Sequence, residues 1–423
     1  MIETQSAILS QYAADAAFLW LLRDAAVRAP HYSLADLNKL DDRIEAHLDG
    51  LRVGGDAGWE MARKELAWEE PGEIFTAAVL AFESDDMARI QPILTIARQS
   101  PELARGMISA LGFLPHQQVT ARIAQLTGSQ SPDLRFIGVS ASAVQRIDPG
   151  KMLTESLESD DARLRARARR AAGELGRRDL LPSLRAGLKD DDATARFWAA
   201  WSIGLLGDRG VADLLREFVM PDFVRQVTAL DLALRLMDVK MANGWRDLLA
   251  QNATNIRMAT MAVGIIGDPV AIPWLIEQMR DHKLARVAGE SFTSITGADL
   301  SLLKLESSPP EETEAGPNDN PEDENVAMDA DENLPWPGVE RIQSWWSANS
   351  SRFTPGKRYL LGAPIAPDAL QAALREGKQR HRAAAAIELM IADPKGAPSL
   401  FEVRAHARTQ QRLLGISARL RNL

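Results

Sequence analysis

The residues of this chain best suited to chemistry form a run of closely spaced arginines. Arg163, Arg165, Arg167, Arg169 and Arg170 lie on one predicted helix, and further arginines follow it. Guanidinium groups bind carboxylates and phosphates, so the candidates for partner contacts are Arg163, Arg167, Arg170, Arg177, Arg178 and Arg185. The alternative, which we favour, is a solvated outer face whose charge is balanced by acidic residues of adjacent helical repeats.

Four tryptophans form the second set of candidates. Trp198 and Trp201 lie three residues apart just after the arginine run, and Trp245 and Trp274 fall in later predicted helices. An exposed tryptophan can anchor a protein partner. Packing within or between repeats is the interpretation that we favour for these side chains.

Patterns typical of catalysis, metal binding or cofactor binding are absent from the sequence. The six histidines are scattered, no His-Glu dipeptide occurs, and no glycine-rich phosphate loop or nucleophile motif is present. The chain contains no cysteine, which rules out thiolate chemistry and disulfides. We therefore predict a protein that is not an enzyme and that has no cofactor, no metal and no catalytic residues.

Composition and charge constrain the partners and the location. The chain has 423 residues, a net charge of −9 and 46% hydrophobic residues. An acidic chain repels phosphate backbones, so nucleic-acid binding is disfavoured. The most apolar run near the start, Ala13 to Leu22, is short and contains Asp15. These features predict a cytoplasmic protein with no secretion signal and no membrane contact.

The arginines and tryptophans lie in two tandem copies of one unit, Ser159 to Met220. Gly173 and Gly176 of the first copy correspond to Gly204 and Gly207 of the second, at a shift of 31 residues. A period of this length is typical of helical solenoids, in which each hairpin buries its apolar face against its neighbours. Four aspartates at the predicted turns between helices should cap the second helix of their pairs: Asp148, Asp208, Asp238 and Asp268.

Similar helix pairs extend on both sides of this unit, so we predict an all-α fold, an α-solenoid. Its parts are an N-terminal helical cap (1–69), a repeat solenoid (70–301), an acidic disordered insertion (302–334) and a C-terminal helical segment (335–423). Ser33 and Asp36 predict a capping box at the start of a helix that ends at Gly54-Gly55. The segment Ala383 to Ile391 is almost wholly apolar, which predicts burial.

The insertion between Leu305 and Glu332 is rich in acids and proline and almost devoid of apolar residues. Such a composition cannot bury enough surface to offset the loss of chain entropy, which predicts disorder. Its charge is opposite to that of the arginine run, so we hypothesise that it covers the Arg163 to Arg185 face as a lid. After it, Ile342, Trp345 and Trp346 predict a short helix that packs back on the solenoid.

The repeats resemble HEAT repeats of the kind also seen in phycobilisome-lyase-like proteins; AGELG, IGLLGD and IIGDPVAIPWLI carry this likeness. Three further segments resemble a proteobacterial HEAT-repeat family of uncharacterised function associated with type VI secretion gene clusters. They are Ala16 to Gly55, Ala288 to Leu300 (AGESFTSITGADL) and Pro355 to Pro364 (PGKRYLLGAP). This resemblance implies an accessory or adaptor role in secretion. It supplies no catalytic residues.

The sequence therefore predicts a non-enzymatic scaffold or adaptor that binds another protein. The resemblance implies that the partner is a component of a type VI secretion spike or an effector toxin that is loaded for secretion. Two alternatives remain. One is an immunity protein that neutralises a cognate toxin, and the other is a helical-repeat protein that binds or modifies nucleic acid.

Overall fold

The computed structural model describes residues 2–310, 329–393 and 410. Over these residues the chain is α-helical apart from short 3₁₀ turns, loops and one small antiparallel ribbon. Residue contacts group it into two compact units. Unit 1 comprises Met1–Asp208 with the described residues from Met390, and unit 2 comprises Arg209–Leu389. The predicted all-α solenoid class is confirmed, whereas the four-part division of the chain remains a prediction.

Unit 1 begins with three packed helices, α1 (Ile2–Ala26), α2 (Leu34–Val53) and α3 (Asp56–Glu65). The capping box that the sequence predicts at the start of α2 is present. The Ser33 hydroxyl accepts from the N–H of Asp36, and the Asp36 carboxylate accepts from the N–H of Ser33. Reciprocal bonding of this kind satisfies two helix-terminal N–H groups that would otherwise lack partners. The helix ends at Gly54, as expected.

Helical hairpins make up the rest of unit 1. In chain order they are α4 (Pro71–Ser84) with α5 (Met87–Ala97), α6 (Pro101–Phe113) with α7 (His116–Thr127), α8 (Pro132–Gln145) with α9 (Lys151–Leu157), and α10 (Ala162–Glu174) with α11 (Leu181–Ala186), followed by α12 (Ala193–Leu205). The first helices α4, α6, α8, α10 and α12 pack on one another in sequence. Each hairpin thereby buries the apolar face of its neighbour.

The repeated glycines explain how closely these first helices approach. Gly176 and Gly207 have φ angles of 69° and 96° and end their helices in the left-handed region, which glycine enters without a Cβ penalty. Gly173 lies inside α10, where an added Cβ would be 2.4 Å from the Ser202 Oγ of α12. The Ser202 hydroxyl donates to the carbonyl of Arg169 at 2.6 Å. A residue without a side chain is therefore required at Gly173.

Unit 2 continues the pattern with α13 (Ala212–Arg216), α14 (Gln226–Leu236), α15 (Val239–Ala250), α16 (Ile256–Ile266), α17 (Ile272–Gln278) and α18 (Ala285–Thr296). It then adds α19 (Val339–Asn349), β1 (Tyr359–Leu360), β2 (Ala363–Pro364), α20 (Pro367–Glu376) and α21 (Gln379–Ala392), whose last residues pass into unit 1. Asp238 caps α15 and Asp268 caps the 3₁₀ turn before α17, as predicted. Asp148 accepts from the N–H of Gly150, and Asp208 pairs with Arg185.

The β1–β2 ribbon closes the C-terminal ends of two first helices. The N–H of Tyr359 donates to the carbonyl of Gly267 at 2.9 Å, and an added Cβ at Gly297 would be 2.5 Å from the carbonyl oxygen of Leu361. Both glycines have positive φ, 77° and 70°. Two of the three distinctive sequence segments, AGESFTSITGADL and PGKRYLLGAP, therefore pack directly on each other.

The remaining predictions for the C-terminal region are also met within unit 2. Helix α19 packs on α17, with Ile342 fully buried and the Trp345 ring 5.6 Å from that of Phe292. In α21, Ala385 and Ala386 are fully buried. Of the insertion predicted to be disordered, 302–334, residues 311–328 lie outside the described part of the chain, whereas 302–310 and 329–334 have a described conformation with backbone hydrogen bonds. Among the described residues, no helix combines the length and the hydropathy that a membrane span requires.

Candidate protein-interaction surfaces

Two of the six candidate arginines converge on one buried carboxylate. Glu174 is 1% exposed in its side chain and receives Arg167 at 2.9 Å and Arg170 at 2.8 Å. Burial acts to raise the pKa of this carboxyl, but Arg167, Arg170 and Arg146 outweigh it and lower the pKa from 4.5 to about 2. Arg163 pairs with Asp133 of the preceding repeat and lies over the Phe136 ring. Arg163 thus connects α10 to α8. Arg167 and Arg170 connect the middle of α10 to Glu174 at its C-terminal end.

The other three candidates bridge inter-repeat turns. Arg177 pairs with Asp148 at 2.7 Å and also with Asp179. Arg178 donates to the carbonyl of Leu206 at 2.8 Å, and Arg185 pairs with Asp208 at 2.9 Å. All six predicted arginines thus make contacts within unit 1. Only Arg178 and Arg185 are exposed as whole residues, and these two can reach a partner.

The balance of charge between adjacent repeats, which we favoured from the sequence, is therefore present, although the arginines are more buried than a solvated face requires. Sequence reasoning did not identify the acids involved. Asp190 is one of these acids, and it forms ion pairs with both Arg165 and Arg169. The hydrogen bond from Arg165, together with Arg169, lowers the pKa of the Asp190 carboxyl. The sequence signal that could have indicated these pairs is an acid about one repeat away from the arginine, as for Arg163, Arg177 and Arg185.

The tryptophans are packing residues in this structure. Trp198 and Trp201 are 5% and 2% exposed, and their rings meet edge to face at 5.0 Å. The Arg170 guanidinium of α10 lies 4.7 Å from the Trp198 ring centroid of α12, so this contact joins two adjacent repeats. Trp198 and Trp201 therefore offer no exposed surface to a partner. Trp274 is partly buried against the core of unit 2.

Trp245 is also buried, with 8% of its surface exposed, but it is one of the residues that line an open groove and forms its floor. This surface, the α13–α15 groove, has a volume of about 550 Å³ and is lined by Asp213, Arg216, Glu217, Val219, Trp245 and Leu249. The Arg216 guanidinium lies 4.9 Å from the centre of the Trp245 ring. The groove thus combines an aromatic floor with charged walls, and an extended or helical segment of another protein could occupy it.

The two helices that line this groove, α13 and α15, also carry exposed apolar side chains. Met241 and Leu248 are 54% and 58% exposed, and they lie on α15 one turn to either side of Trp245. Leu214 of α13 is also exposed. Sequence reasoning singled out only Trp245 here. The signal that it missed is the spacing of Met241, Trp245 and Leu248, which puts a second apolar stripe on α15 beside the buried one.

Neither of two further cavities in unit 1 suggests catalysis. The first, of about 120 Å³, lies between Trp20 and Phe75 and includes the buried pair Arg23–Asp41, with nitrogen and oxygen 2.9 Å apart. That volume is far below the 300–1,000 Å³ typical of small-molecule sites. The second is an open, polar depression around Arg52, whose guanidinium pairs with Glu45, Asp49 and Glu83. Within the described chain, no three side chains of metal-binding type cluster together.

The fold defined by these hairpins is that of a helical-repeat protein, a class whose broad surfaces bind other proteins. Comparison with known families agrees: a sequence model of HEAT repeats matches residues 150–233, from the start of α9 into α14. This stretch contains the arginine run and the paired glycines. A comparison with curated proteins finds no match to the chain. The finding supports HEAT repeats in this chain and, through them, protein partners in general.

Proposed function

We propose that this protein is a non-enzymatic scaffold that binds a protein partner through the α13–α15 groove. The observation that carries the proposal is the exposure of Met241, Leu248 and Leu214 on the two helices that supply the lining of the groove. Contiguous exposed apolar surface is uncommon in proteins and marks interaction sites. A partner that covers these side chains would remove them from water, which favours association.

The polar part of the contact would come from the groove walls. Arg178 and Arg185 are separate exposed candidates for polar contacts on unit 1. Charged side chains at the rim of an interface contribute to orientation and association rate more than to affinity. Of the ten side chains predicted as contacts, these two arginines and Trp245 remain in the proposal, because they are exposed or line the groove.

We further propose that the partner belongs to a type VI secretion system, as a spike component or as an effector that is loaded onto the spike. The support is that three segments resemble the HEAT-repeat family associated with type VI secretion gene clusters. They are Ala16 to Gly55, Ala288 to Leu300 and Pro355 to Pro364. The direct packing of the last two on each other is a reason for their distinctive sequences to occur together.

The test uses the full-length chain with a purification tag in its native cells. Met241→Glu combined with Leu248→Glu introduces two charges on the rim of the groove without touching the core. Val53→Glu is the matched control, because Val53 is 89% exposed and belongs to unit 1, whereas the groove residues belong to unit 2. Proteins that co-purify with each variant are quantified by mass spectrometry.

We expect the double variant to lose at least about 10-fold of its specific partner, as for the removal of one or two interface anchors, while Val53→Glu retains it. Unchanged far-UV circular dichroism would verify the fold. Equal recovery of partners by wild type and double variant would refute the groove as the binding surface. A partner that is a toxin, with growth rescued by co-expression of this chain, would instead establish an immunity protein.

A further inference from the structure

The second residue of successive first helices carries a repeated charge. In unit 1, Arg163 is the second residue of α10 and pairs with Asp133, the second residue of α8. In unit 2, the corresponding positions of α16 and α18 are both arginine, Arg257 and Arg286. Where α8 and α10 of unit 1 pair an acid with a base, α16 and α18 of unit 2 therefore place two positive charges in adjacent repeats, next to the positive ends of two helices.

The charge that balances this pair comes from the end of the acidic insertion. Asp331 receives the Arg257 guanidinium in a two-pronged ion pair, with one nitrogen–oxygen distance of 2.8 Å. Asp329 pairs with Arg286 at 2.6 Å, and the same guanidinium donates to the carbonyl of Asp331 at 3.1 Å. Arg286 also lies 4.7 Å from the centre of the Trp336 ring. We call Arg257, Arg286 and Trp336 the arginine clamp.

The electrostatics of the clamp favour a dianionic segment. Partial burial acts to raise the pKa of Asp329, but hydrogen bonds from the Asp331 N–H and from Arg286 lower it overall. Hydrogen bonding to Asp331 raises the pKa of Arg257 despite burial. Asp329 is therefore ionised at neutral pH, and Asp331 forms its ion pair with Arg257. The backbone at Asp329 to Asp331 presents them two residues apart, each to a different helix.

The covering segment is anchored behind the clamp. The N–H of Ser307 donates to the carbonyl of Trp336, and the N–H of Gly338 donates to that of Leu305, both at 2.7 Å. These bonds join the two ends of the insertion, so Asp329 and Asp331 remain tethered near Arg257 and Arg286. The lid over the Arg163 to Arg185 face remains a hypothesis, and the described acids at the end of the insertion, Asp329 and Asp331, contact Arg286 and Arg257 of unit 2 instead. The unit 1 arginines already have acids from their own repeats.

We propose that the arginine clamp is a docking site for an acidic segment of a partner protein, with two carboxylates in an Asp-x-Asp arrangement, and that Asp329 and Asp331 occupy it in cis as a competitor. The inference rests on the protein-binding function proposed above and names a second surface for it. The Arg257 side chain is 38% exposed, so a partner can reach it. The Asp331 side chain is 7% exposed, so an acidic segment of a partner has to displace it rather than bind beside it.

The tether sets the size of the expected effect. A segment held by a short connection acts at an effective concentration in the millimolar range. If the cis segment fills the clamp for about nine-tenths of the time, the affinity for an outside ligand falls about 10-fold. Removal of the cis carboxylates should restore that affinity.

The experiment measures fluorescence polarisation of a labelled peptide with the sequence of residues 327–334 on full-length protein. Asp329→Asn combined with Asp331→Asn removes the competitor and keeps the size of the side chains. We expect this variant to bind the peptide about 10-fold more tightly than wild type. Addition of Arg257→Gln and Arg286→Gln should abolish the gain, whereas Arg43→Gln and Arg98→Gln, exposed arginines of unit 1 with no proposed role in binding, should not.

Two further measurements keep the result decisive. The same peptide with both aspartates replaced by asparagine should bind neither protein, and the gain should disappear at about 1 M salt, where the screening length is about 3 Å. No gain in the aspartate variant, or a gain that survives removal of both clamp arginines, would overturn the proposal. So would a gain for a single-stranded oligonucleotide with none for the peptide, which would indicate a nucleic-acid site.

Failure of this inference is separable from failure of the proposed function. The Met241→Glu and Leu248→Glu chain should still bind the acidic peptide, because the clamp residues are untouched. Peptide binding that is insensitive to the clamp, with a partner still lost in the groove variant, would reject the clamp alone. The reverse result would reject the groove alone.

Discussion

The close approach of first helices should make Gly173 intolerant of the smallest possible substitution. In Gly173→Ala the new Cβ would be 2.4 Å from the Ser202 Oγ, 2.8 Å from its Cβ and 2.9 Å from its Cα. The last contact is with backbone, so rotation of the serine side chain cannot relieve it. The helices α10 and α12 would have to separate, or the hydrogen bond from Ser202 to the Arg169 carbonyl would have to break.

Two opposing effects decide the magnitude. Alanine is favoured over glycine inside a helix by about 1 kcal/mol, which by itself would stabilise the variant. Overpacking of a close interface costs about 1–3 kcal/mol, and loss of a buried hydrogen bond costs about 1 kcal/mol more. We therefore expect Gly173→Ala to lower the free energy of unfolding by about 1–3 kcal/mol.

The assay is urea denaturation followed by far-UV circular dichroism. Gly244→Ala is the matched control, because Gly244 also lies inside a helix, α15, but has no atom within 4 Å of its added Cβ. It should stabilise the protein by about 0.5–1 kcal/mol. Gly264→Ala repeats the test in unit 2, where the added Cβ would be 2.8 Å from the Ser291 Oγ. It should resemble Gly173→Ala.

A second-site change sharpens the test. Ser202→Gly removes two of the three close contacts, so the double variant with Gly173→Ala should be more stable than the sum of the single effects implies, with a coupling energy of at least about 0.5 kcal/mol. If Gly173→Ala is as stable as Gly244→Ala, the first helices are not packed as closely as described, and the reasoning fails.

Two further predictions concern buried ionisable groups. Glu174→Gln should cost about 3–5 kcal/mol of stability, because it leaves the buried ends of Arg167 and Arg170 without a carboxylate. Asp179→Asn, which removes an exposed carboxylate, should cost less than about 1 kcal/mol, and equal losses in urea denaturation would contradict the buried cluster. His381 is buried near Arg380 and Lys378, and burial first, then these charges, lower its pKa from 6.5 to about 4. Between pH 6.5 and 5 the unfolded chain therefore binds a proton here that the folded chain does not, so wild type should lose about 2 kcal/mol that His381→Gln does not lose. Parallel pH profiles of the two proteins would show that His381 is not the titrating group.

The arginine run illustrates the limit of prediction for the candidate sites. The sequence predicts the spacing of these arginines along one helix. It also allows two roles for them, partner contacts or a face balanced by acids of adjacent repeats. Which role applies depends on the residue that faces each guanidinium across the interface, such as Asp133 for Arg163. The same limit applies to tryptophan: Trp198 and Trp245 look alike in sequence, yet one lies inside unit 1 and the other forms the floor of a groove.

By itself, the sequence determined the features that depend on neighbours along the chain. These include the hairpin period, the Ser33–Asp36 capping box and the left-handed glycines Gly176 and Gly207, because backbone geometry and local hydrogen bonds act over a few residues. Only the tertiary structure decided the pairing of Asp331 with Arg257, 74 residues apart, and the packing of the β1–β2 ribbon on Gly267 and Gly297. The reason is that stacking of repeats brings together residues whose separation in sequence bears no relation to the period of the helices.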